Sequence, residues 1–326
     1  MTRLTRMLRC TAHALMWMLL TIGSVAAQGL SERQITIVVP YTAGTGIDIC
    51  ARIIGDELQR RWGQAIVVEN KPGASGNIGT TYAATRPADG HTLLMIANTF
   101  VTNVSLFKSL AYDPERSFVP IALVATGALA LAVHPSLGVE TVPALVAASK
   151  REGAKIAYAS PGRGTPQHLA MELFKQRAKA DLTHVPYSGS AGAVRDLVGG
   201  HVAAMFMPVH TLLPLARSGE IKVLAVASQT RSQMMPNVPT LAETGLTEAD
   251  VDLWYGLLAP AGVPDAIVAR INGAVNDILA QPSIRDQFAQ QGLDPRGGGI
   301  DTLSRLISTD RTRWATVIRD AAIAPE

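Results

Sequence analysis

Short apolar runs alternate with amphipathic segments along the chain, and this alternation predicts an α/β protein. Ile35–Val39 is a β-branched run typical of a strand buried on both faces, and the apolar period of 47–62 predicts a helix. The same order continues with a strand at 65–70, a helix at 78–84 and a strand at 92–97. A βαβαβ unit with short connections predicts a largely parallel sheet.

The opening pattern recurs later in the chain, which suggests two similar domains facing each other. A strand at 155–159 precedes a loop of small residues and a helix at 167–178, with Thr165 as the natural N-cap and Pro166 after it. The other predicted strands are 118–124, 128–133, 182–186, 202–207, 221–227 and 252–260. The other predicted helices are 142–150, a helix ending at 198, 212–218, 264–280, 283–291 and 302–321.

Three loops that each follow a strand and precede a helix are candidates for anion binding. Loops 41–46, 160–165 and 187–190 offer hydroxyls and backbone N–H groups, and a helix N-terminus attracts negative charge. The alternative is that all three are ordinary βα turns. The candidate ligand-binding residues are Tyr41, Thr42, Ala43, Gly44, Thr45, Gly46, Asp48, Asn98, Thr99, Ser160, Gly162, Arg163, Gly164, Thr165, Tyr187 and Ser188. Asp48 is open to two interpretations: it stabilises the helix dipole, or it receives an amino group or hydroxyl of a ligand.

The first 27 residues have the pattern of a secretory signal peptide. Arg3, Arg6 and Arg9 precede an apolar stretch at 14–25, and small residues at 25–27 form a cleavage site before Gln28. We therefore expect cleavage near Ala27 and export to the periplasm. A retained membrane anchor is the alternative.

Charge and cysteine content limit the classes of function that the chain can have. The chain has 29 basic and 26 acidic residues, and the leader carries three arginines and no acid, so the exported chain is about neutral. A neutral chain does not favour nucleic-acid binding. Cys50 is the one cysteine after the leader, so no intrachain disulfide is expected, and its apolar helix predicts burial.

No catalytic, metal or cofactor motif is complete. The segment 73–77 lacks the last glycine of G-x-S-x-G, 188–192 lacks the first, and Ile49 replaces the third glycine of a dinucleotide fingerprint. The histidines after the leader are scattered, although His168 follows the second loop by one helical turn. We therefore predict neither an enzyme nor a bound metal or cofactor.

Several short motifs occur in a fixed order along the chain. They are Pro40 with Gly44, Asp48, Ala51 and Arg52; the block 68–79 (VENKPGASGNIG); 89–94 (DGHTLL); 160–165 (SPGRGT); 185–187 (VPY); 238–240 (VPT); and 254–260 (WYGLLAP). Together these motifs resemble the Bug/TctC family, the extracytoplasmic solute receptors of tripartite tricarboxylate transporters. The resemblance covers essentially the whole chain after the leader.

The resemblance implies a periplasmic binding protein of the Venus-flytrap, type II-like kind, with two mostly parallel, helix-flanked domains joined by two hinge crossings. The implied domains are 28–124 plus 232–326 and 125–231, with crossings near 124–127 and 227–231. A monomer would hold a small carboxylate between loops 41–46 and 160–165 and deliver it to a membrane permease. Enlarging Gly164 should then abolish ligand-induced stabilisation.

Two departures and two alternatives qualify this expectation. Thr45 stands where many members have a second glycine, so the ligand can differ from di- and tricarboxylates. Met207 stands where a polar or acidic residue is common, which argues against an amino-acid ligand. The alternatives are a receptor that docks a membrane sensor kinase and an exported hydrolase of small esters.

Overall fold

The structure is a computed structural model that describes residues 33–187 and 189–325 of the 326-residue chain. The predicted signal peptide, 1–27, and Ser188 lie outside these residues. From Gln34 onward the described residues form one compact body. Among the helices of 33–187 and 189–325, none combines the length and apolar character that crossing a membrane requires.

The first part of the chain forms a parallel unit that leads into a long strand. Its elements are β1 (Ile35–Val39), α1 (Gly46–Trp62), β2 (Ile66–Asn70), α2 (Asn77–Ala84), β3 (Thr92–Ala97), α3 (Thr99–Leu106) and β4 (Phe118–Val133). Strand β1 pairs in parallel with β2 and β3. Helix α3 was not predicted, because its sequence is rich in Thr and Val, which are weak helix formers.

The middle of the chain forms a second parallel unit of the same kind. Its elements are α4 (Val142–Ser149), β5 (Ala157–Ser160), α5 (Pro166–Ala178), β6 (Thr183–Pro186), α6 (Ser190–Val198), β7 (Ala204–Pro208), α7 (Val209–Arg217) and β8 (Lys222–Val226). Strand β5 pairs in parallel with β6 and β7. The strand–loop–helix repeat expected from the sequence is therefore present.

The last part of the chain returns to the first unit. Its elements are β9 (Asp252–Pro260), α8 (Asp265–Ala280), α9 (Pro282–Gln290), β10 (Leu293–Pro295) and α10 (Ile300–Asp320). Strand β9 lies antiparallel between β3 and β4. Helix α10 is fastened to β9, because the indole N–H of Trp254 donates a hydrogen bond to Asp310 Oδ2 at 2.6 Å. Strand β10 was not predicted, since three residues carry no periodic signal.

Strand β4 is continuous, so the prediction of two strands at 118–124 and 128–133 was wrong. Residues 118–128 pair with β9, and 129–133 pair with β7 and β8, all antiparallel. Gly127 interrupts the apolar pattern, but pairing on both sides keeps the backbone extended. The α/β class is confirmed, and the sheet is mixed, with strand order β2-β1-β3-β9-β4-β7-β5-β6.

Small residues let α1 pack closely on the sheet and so hold its N-terminus at the end of β1. A Cβ added to Gly55 would already contact Ile66 at 3.5 Å and Ile37 at 3.6 Å. Cys50, one turn before it, is fully buried, as its apolar setting predicted. The packed middle of helix α1 therefore positions its first turn next to the loop that precedes it.

Candidate functional site

The first loop, residues 41–46, presents backbone donors at the N-terminus of α1. Thr45 is the N-cap residue in extended conformation, and its hydroxyl donates to Thr42 O at 2.8 Å instead of capping the helix. Among the described residues, no acceptor is bonded to the N–H groups of Gly46 or Ile47. These donors and the positive end of the helix dipole make the loop suitable for an anion.

Asp48 fastens the first loop to the sheet. Its Oδ2 accepts hydrogen bonds from the Gly44 N–H at 2.8 Å and from Arg52 Nε at 2.9 Å. Its Oδ1 accepts from Asn70 Nδ2 at 2.8 Å, and this amide also donates to Tyr41 O at 3.0 Å. Burial raises the pKa of Asp48, but hydrogen bonds from Arg52, Gly44 and Asn70 outweigh it and hold the pKa below its ordinary value. The side chain is therefore fully engaged within the protein.

Tyr41 and Thr99 connect the first loop to a strained turn at 73–76. The two hydroxyls form a short hydrogen bond, and Tyr41 also donates to Ser75 O at 3.0 Å. Ser75 has a φ of 53°, a left-handed conformation that non-glycine residues rarely adopt. Asn103 Nδ2 supports the same carbonyl at 2.9 Å. Tyr41 and Thr99 thus hold the edge of the site in place.

Asn98 is a structural clamp at the carboxyl end of β3. It is 1% exposed, its Nδ2 donates to Asp252 O at 3.0 Å, and its Oδ1 accepts from the Trp254 N–H at 3.1 Å. Both ends of the amide are therefore used to join β3 to the start of β9.

The second loop, 160–165, is shaped by glycines and by the predicted cap of α5. Gly162 and Gly164 have φ values of 150° and 71°. The Thr165 hydroxyl accepts from the His168 N–H at 3.4 Å and donates to Gly162 O at 2.8 Å. The N-cap and first-turn proline of α5 are confirmed.

Two stacked histidine rings support the second loop through hydrogen bonds. His168 Nδ1 accepts a hydrogen bond from the Gly164 N–H at 2.9 Å, so the ring proton lies on Nε2. His184 Nε2 lies 2.7 Å from the Ser160 hydroxyl. The ring centroids are 3.9 Å apart. Burial lowers the pKa of His168 to about 3 and that of His184 to about 4, so both rings are neutral. The sequence indicates His168 by its distance of one helical turn from the loop, but neither its role nor that of His184 has a local signal.

The second loop also contacts the first part of the chain. Gly164 packs so closely against Leu106 of α3 that an added Cβ would collide with it. The exposed side chain of Arg163 lines a small cavity together with Ser75 and Ile323. No hydrogen bond among the described residues joins 41–46 to 160–165.

The third loop is described only in part, because Ser188 lies outside the described residues. The Tyr187 hydroxyl donates to Asp196 Oδ2 at 2.6 Å, and its N–H donates to Ser160 O at 3.0 Å. Burial and the Asp196 carboxylate raise the pKa of Tyr187 to about 12. Tyr187 therefore links the second and third loops through its backbone and anchors α6 through its hydroxyl.

Met207 lies in the apolar core of the second unit. It is 1% exposed and packs in an apolar cluster with Met205, Leu197 and Val209. An acid at this position would be buried among apolar side chains, so Met207 has a packing role in this unit.

Tyr255 is a residue of this region that sequence analysis did not select. It follows Trp254 in β9, is 7% exposed, and pairs with Ala97 at the end of β3. Its hydroxyl lies 2.5 Å from the position that a Cβ on Gly46 would take. Its place at the start of a strand that follows a long loop was the available signal.

A cavity of about 410 Å³ lies away from these loops, at the middle of β4. It is lined by residues of β4, β9, β10 and the segment 228–234, and by none of the described candidate residues. Within the described residues, no cluster of His, Cys, Asp or Glu could hold a metal ion. The loops at the starts of α1 and α5 therefore remain the candidate site.

The chain matches known proteins over nearly its whole length. It is 35% identical over 298 residues to the protein BugT of Bordetella pertussis, covering 91% of each chain. Among solved structures, R. palustris Rpa4515 with adipate is 34% identical with a TM-score of 0.82, covering 90% of this chain and 99% of that chain. MatC of Rhodopseudomonas palustris with bound malate is 32% identical with a TM-score of 0.76, covering 88% of this chain and 99% of that one.

The family assignment rests on a family model that matches most of the described part of the chain. The model of the tripartite tricarboxylate transporter family receptor matches residues 50–323, and the similar structures are periplasmic binding proteins. Neither comparison supports a hydrolase or a kinase-docking receptor. The chain belongs to the tripartite tricarboxylate transporter receptor family, TctC, and is a solute-binding protein.

Proposed function

We propose that this protein captures a small organic carboxylate between two domains, 28–124 plus 232–326 and 125–231. The observation that carries the proposal is the N-terminus of α1, where the N–H groups of Gly46 and Ile47 have no acceptor among the described residues. They adjoin the exposed residues 42–44, which leave room for a ligand. The adipate and malate in two related structures agree with a carboxylate.

The proposed site contains residues that contact the ligand and residues that hold the loops in place. Loop 41–46 holds one carboxylate through backbone N–H groups, and Arg163 in loop 160–165 supplies a cation. Asp48, Asn98, Ser160 and Tyr187 have side chains engaged within the protein, so their contribution is to shape the loops. Backbone donors recognise a carboxylate without fixing the rest of the ligand.

Capture proceeds by hinge closure in this proposal. Strand β4 at 124–127 and the segment 227–231 are the chain's two crossings, and Ala227 is hydrogen-bonded to both Leu129 and Val251. Closure brings loop 160–165 over the ligand and presents a surface to a tripartite-type permease. The protein acts as a periplasmic monomer after removal of 1–27.

Binding occurs without turnover in this proposal. The Ser160 hydroxyl lies 2.7 Å from His184 Nε2, a spacing that a serine nucleophile and its base would show. Ser160 is fully buried, however, and its hydroxyl is also bonded to Gly162, so the pair closes the loop and reaches no substrate. This contact therefore gives no support to an exported esterase.

The test is a thermal-shift screen of adipate, malate and other small carboxylates, with neutral adipamide as the control. A carboxylate at one hundred times its Kd should raise stability by about 2.7 kcal/mol, and adipamide should not. Ala43→Asp places a negative charge in the first loop and should abolish the shift. Ala261→Asp, in an exposed turn elsewhere, should leave it intact. Failure of every carboxylate to stabilise the protein would overturn the proposal.

A further inference from the structure

The Tyr255 hydroxyl is a polar group whose position packing does not explain. The side chain is more than nine-tenths buried, but its hydroxyl keeps contact with solvent and forms no hydrogen bond with any described residue. Other buried tyrosines of this region are satisfied: Tyr41 bonds Thr99 and Ser75, and Tyr112 donates to Asn77 at 2.9 Å. A phenylalanine at 255 would fill the same space without an unpaired hydroxyl.

The hydroxyl points at the first turn of α1, a helix of 17 residues. It lies 2.5 Å from the position of a Cβ on Gly46, the first helical residue, so only glycine admits it there. Gly46 is also one of the residues whose N–H has no acceptor among the described residues. The Tyr255 hydroxyl, which has no partner among the described residues and is not enclosed, therefore lies beside the helix turn that carries these N–H donors.

We propose that Tyr255 is a ligand-binding residue whose hydroxyl donates a hydrogen bond to the carboxylate held at the N-terminus of α1. This inference rests on the proposed function and adds to it a side-chain donor supplied by β9. A carboxylate oxygen accepts several hydrogen bonds, so it can satisfy the hydroxyl and the helix N–H groups together.

The hydroxyl is suited to act as a donor and not as an anion. Burial raises the pKa of Tyr255 above its ordinary value, and the nearby Cys50 and Tyr41 add to this direction. The phenol therefore keeps its proton at every pH at which the protein would work. Strand β9 begins where the chain returns to the first unit. A ligand bonded to Tyr255 therefore lies next to the end of the second proposed crossing between the domains.

The test compares adipate and malate binding by titration calorimetry in the wild type and in Tyr255→Phe. A hydrogen bond to a charged group gives an expected loss of affinity of about 10- to 100-fold. The thermal stability of unliganded Tyr255→Phe should equal or exceed that of the wild type, since no bond within the protein is lost. Tyr82→Phe, at a tyrosine whose ring is covered by Lys71 and Arg86, is the matched control and should bind like the wild type.

The outcomes separate this inference from the function on which it rests. Wild-type affinity in Tyr255→Phe would overturn the Tyr255 contact and leave carboxylate capture standing. Equal loss in Tyr82→Phe would also overturn it, because the effect would not be specific to the site. If the wild type binds no carboxylate, the proposed function fails and the Tyr255 contact fails with it.

Discussion

Asp48 shows at the residue scale how a charge can serve a site without touching a ligand. The carboxylate is 2% exposed and accepts three hydrogen bonds, from the Gly44 N–H, Arg52 and Asn70. By accepting the Gly44 N–H, it fixes the first loop against the start of α1. Of the two interpretations left open by the sequence, an internal role is the one that these contacts support.

Replacing Asp48 by Asn should destabilise the protein by about 1–3 kcal/mol, because a buried charge-assisted network loses its acceptor. Since the folded pKa lies below the unfolded value, this stability is present above about pH 4 and is lost as pH falls through the folded pKa. Urea unfolding of both proteins from pH 7 to pH 3 should show the difference shrink.

The control for Asp48 is the exposed pair of Asp301 and Arg305 on α10. Asp301→Asn should cost less than about 0.5 kcal/mol, because solvent screens an exposed ion pair. If Asp48→Asn lowers the free energy of unfolding no more than Asp301→Asn does, the hydrogen bonds of Asp48 do not stabilise the loop.

At the element scale, the start of α5 depends on a side chain that points backward from its first turn. His168 accepts from the Gly164 N–H, while Thr165 caps the His168 N–H. The neutral ring beneath it, His184, holds Ser160 at the other end of the same loop. The stacked pair thus fixes both ends of loop 160–165 on one rigid base.

His168→Leu should free the Gly164 N–H and loosen the loop, whereas His168→Asn keeps an acceptor close to the position of Nδ1. Amide hydrogen exchange at 162–165 should therefore accelerate in His168→Leu and remain nearer to the wild-type rate in His168→Asn. Adipate affinity should fall in the same order. Equal exchange in the two variants would refute the positioning role, whatever the affinity.

At the scale of the whole molecule, the contact of Gly164 with Leu106 joins two units that are far apart in sequence. Gly164 lies in the unit built around β5, and Leu106 ends α3 in the unit built around β1. Strand β4 passes between these units and pairs with strands of both. The rotation proposed for capture must therefore change the packing at Gly164.

Gly164→Ala should destabilise the protein more than Gly138→Ala. The two glycines have similar φ values, 71° and 67°, so backbone strain of roughly 1–2 kcal/mol is common to both. A Cβ at Gly138 meets open space, whereas at Gly164 it collides with Leu106. Thermal unfolding measures the difference, and Leu106→Ala should recover part of it. Equal losses at the two glycines would show that the contact is absent in solution.

The sequence by itself determined the order of the elements, the repeat of strand, loop and helix, and the cap of α5. These follow from signals within a few residues of each other, such as the apolar period of α1 and the Thr165-Pro166 pair. The same local rules missed α3 and divided β4 at Gly127, because pairing with distant strands outweighs local propensity there.

Only the tertiary structure decided which side chains hold the loops and which contacts join distant elements. Gly46 meets Tyr255, and Gly164 meets Leu106, through the packing of elements that are distant in the chain. The role of Asp48 likewise depends on Asn70 in the neighbouring strand. Hydrophobic periodicity specifies which face of an element is buried, but the distance between two polar atoms is set by the register and packing of the whole sheet.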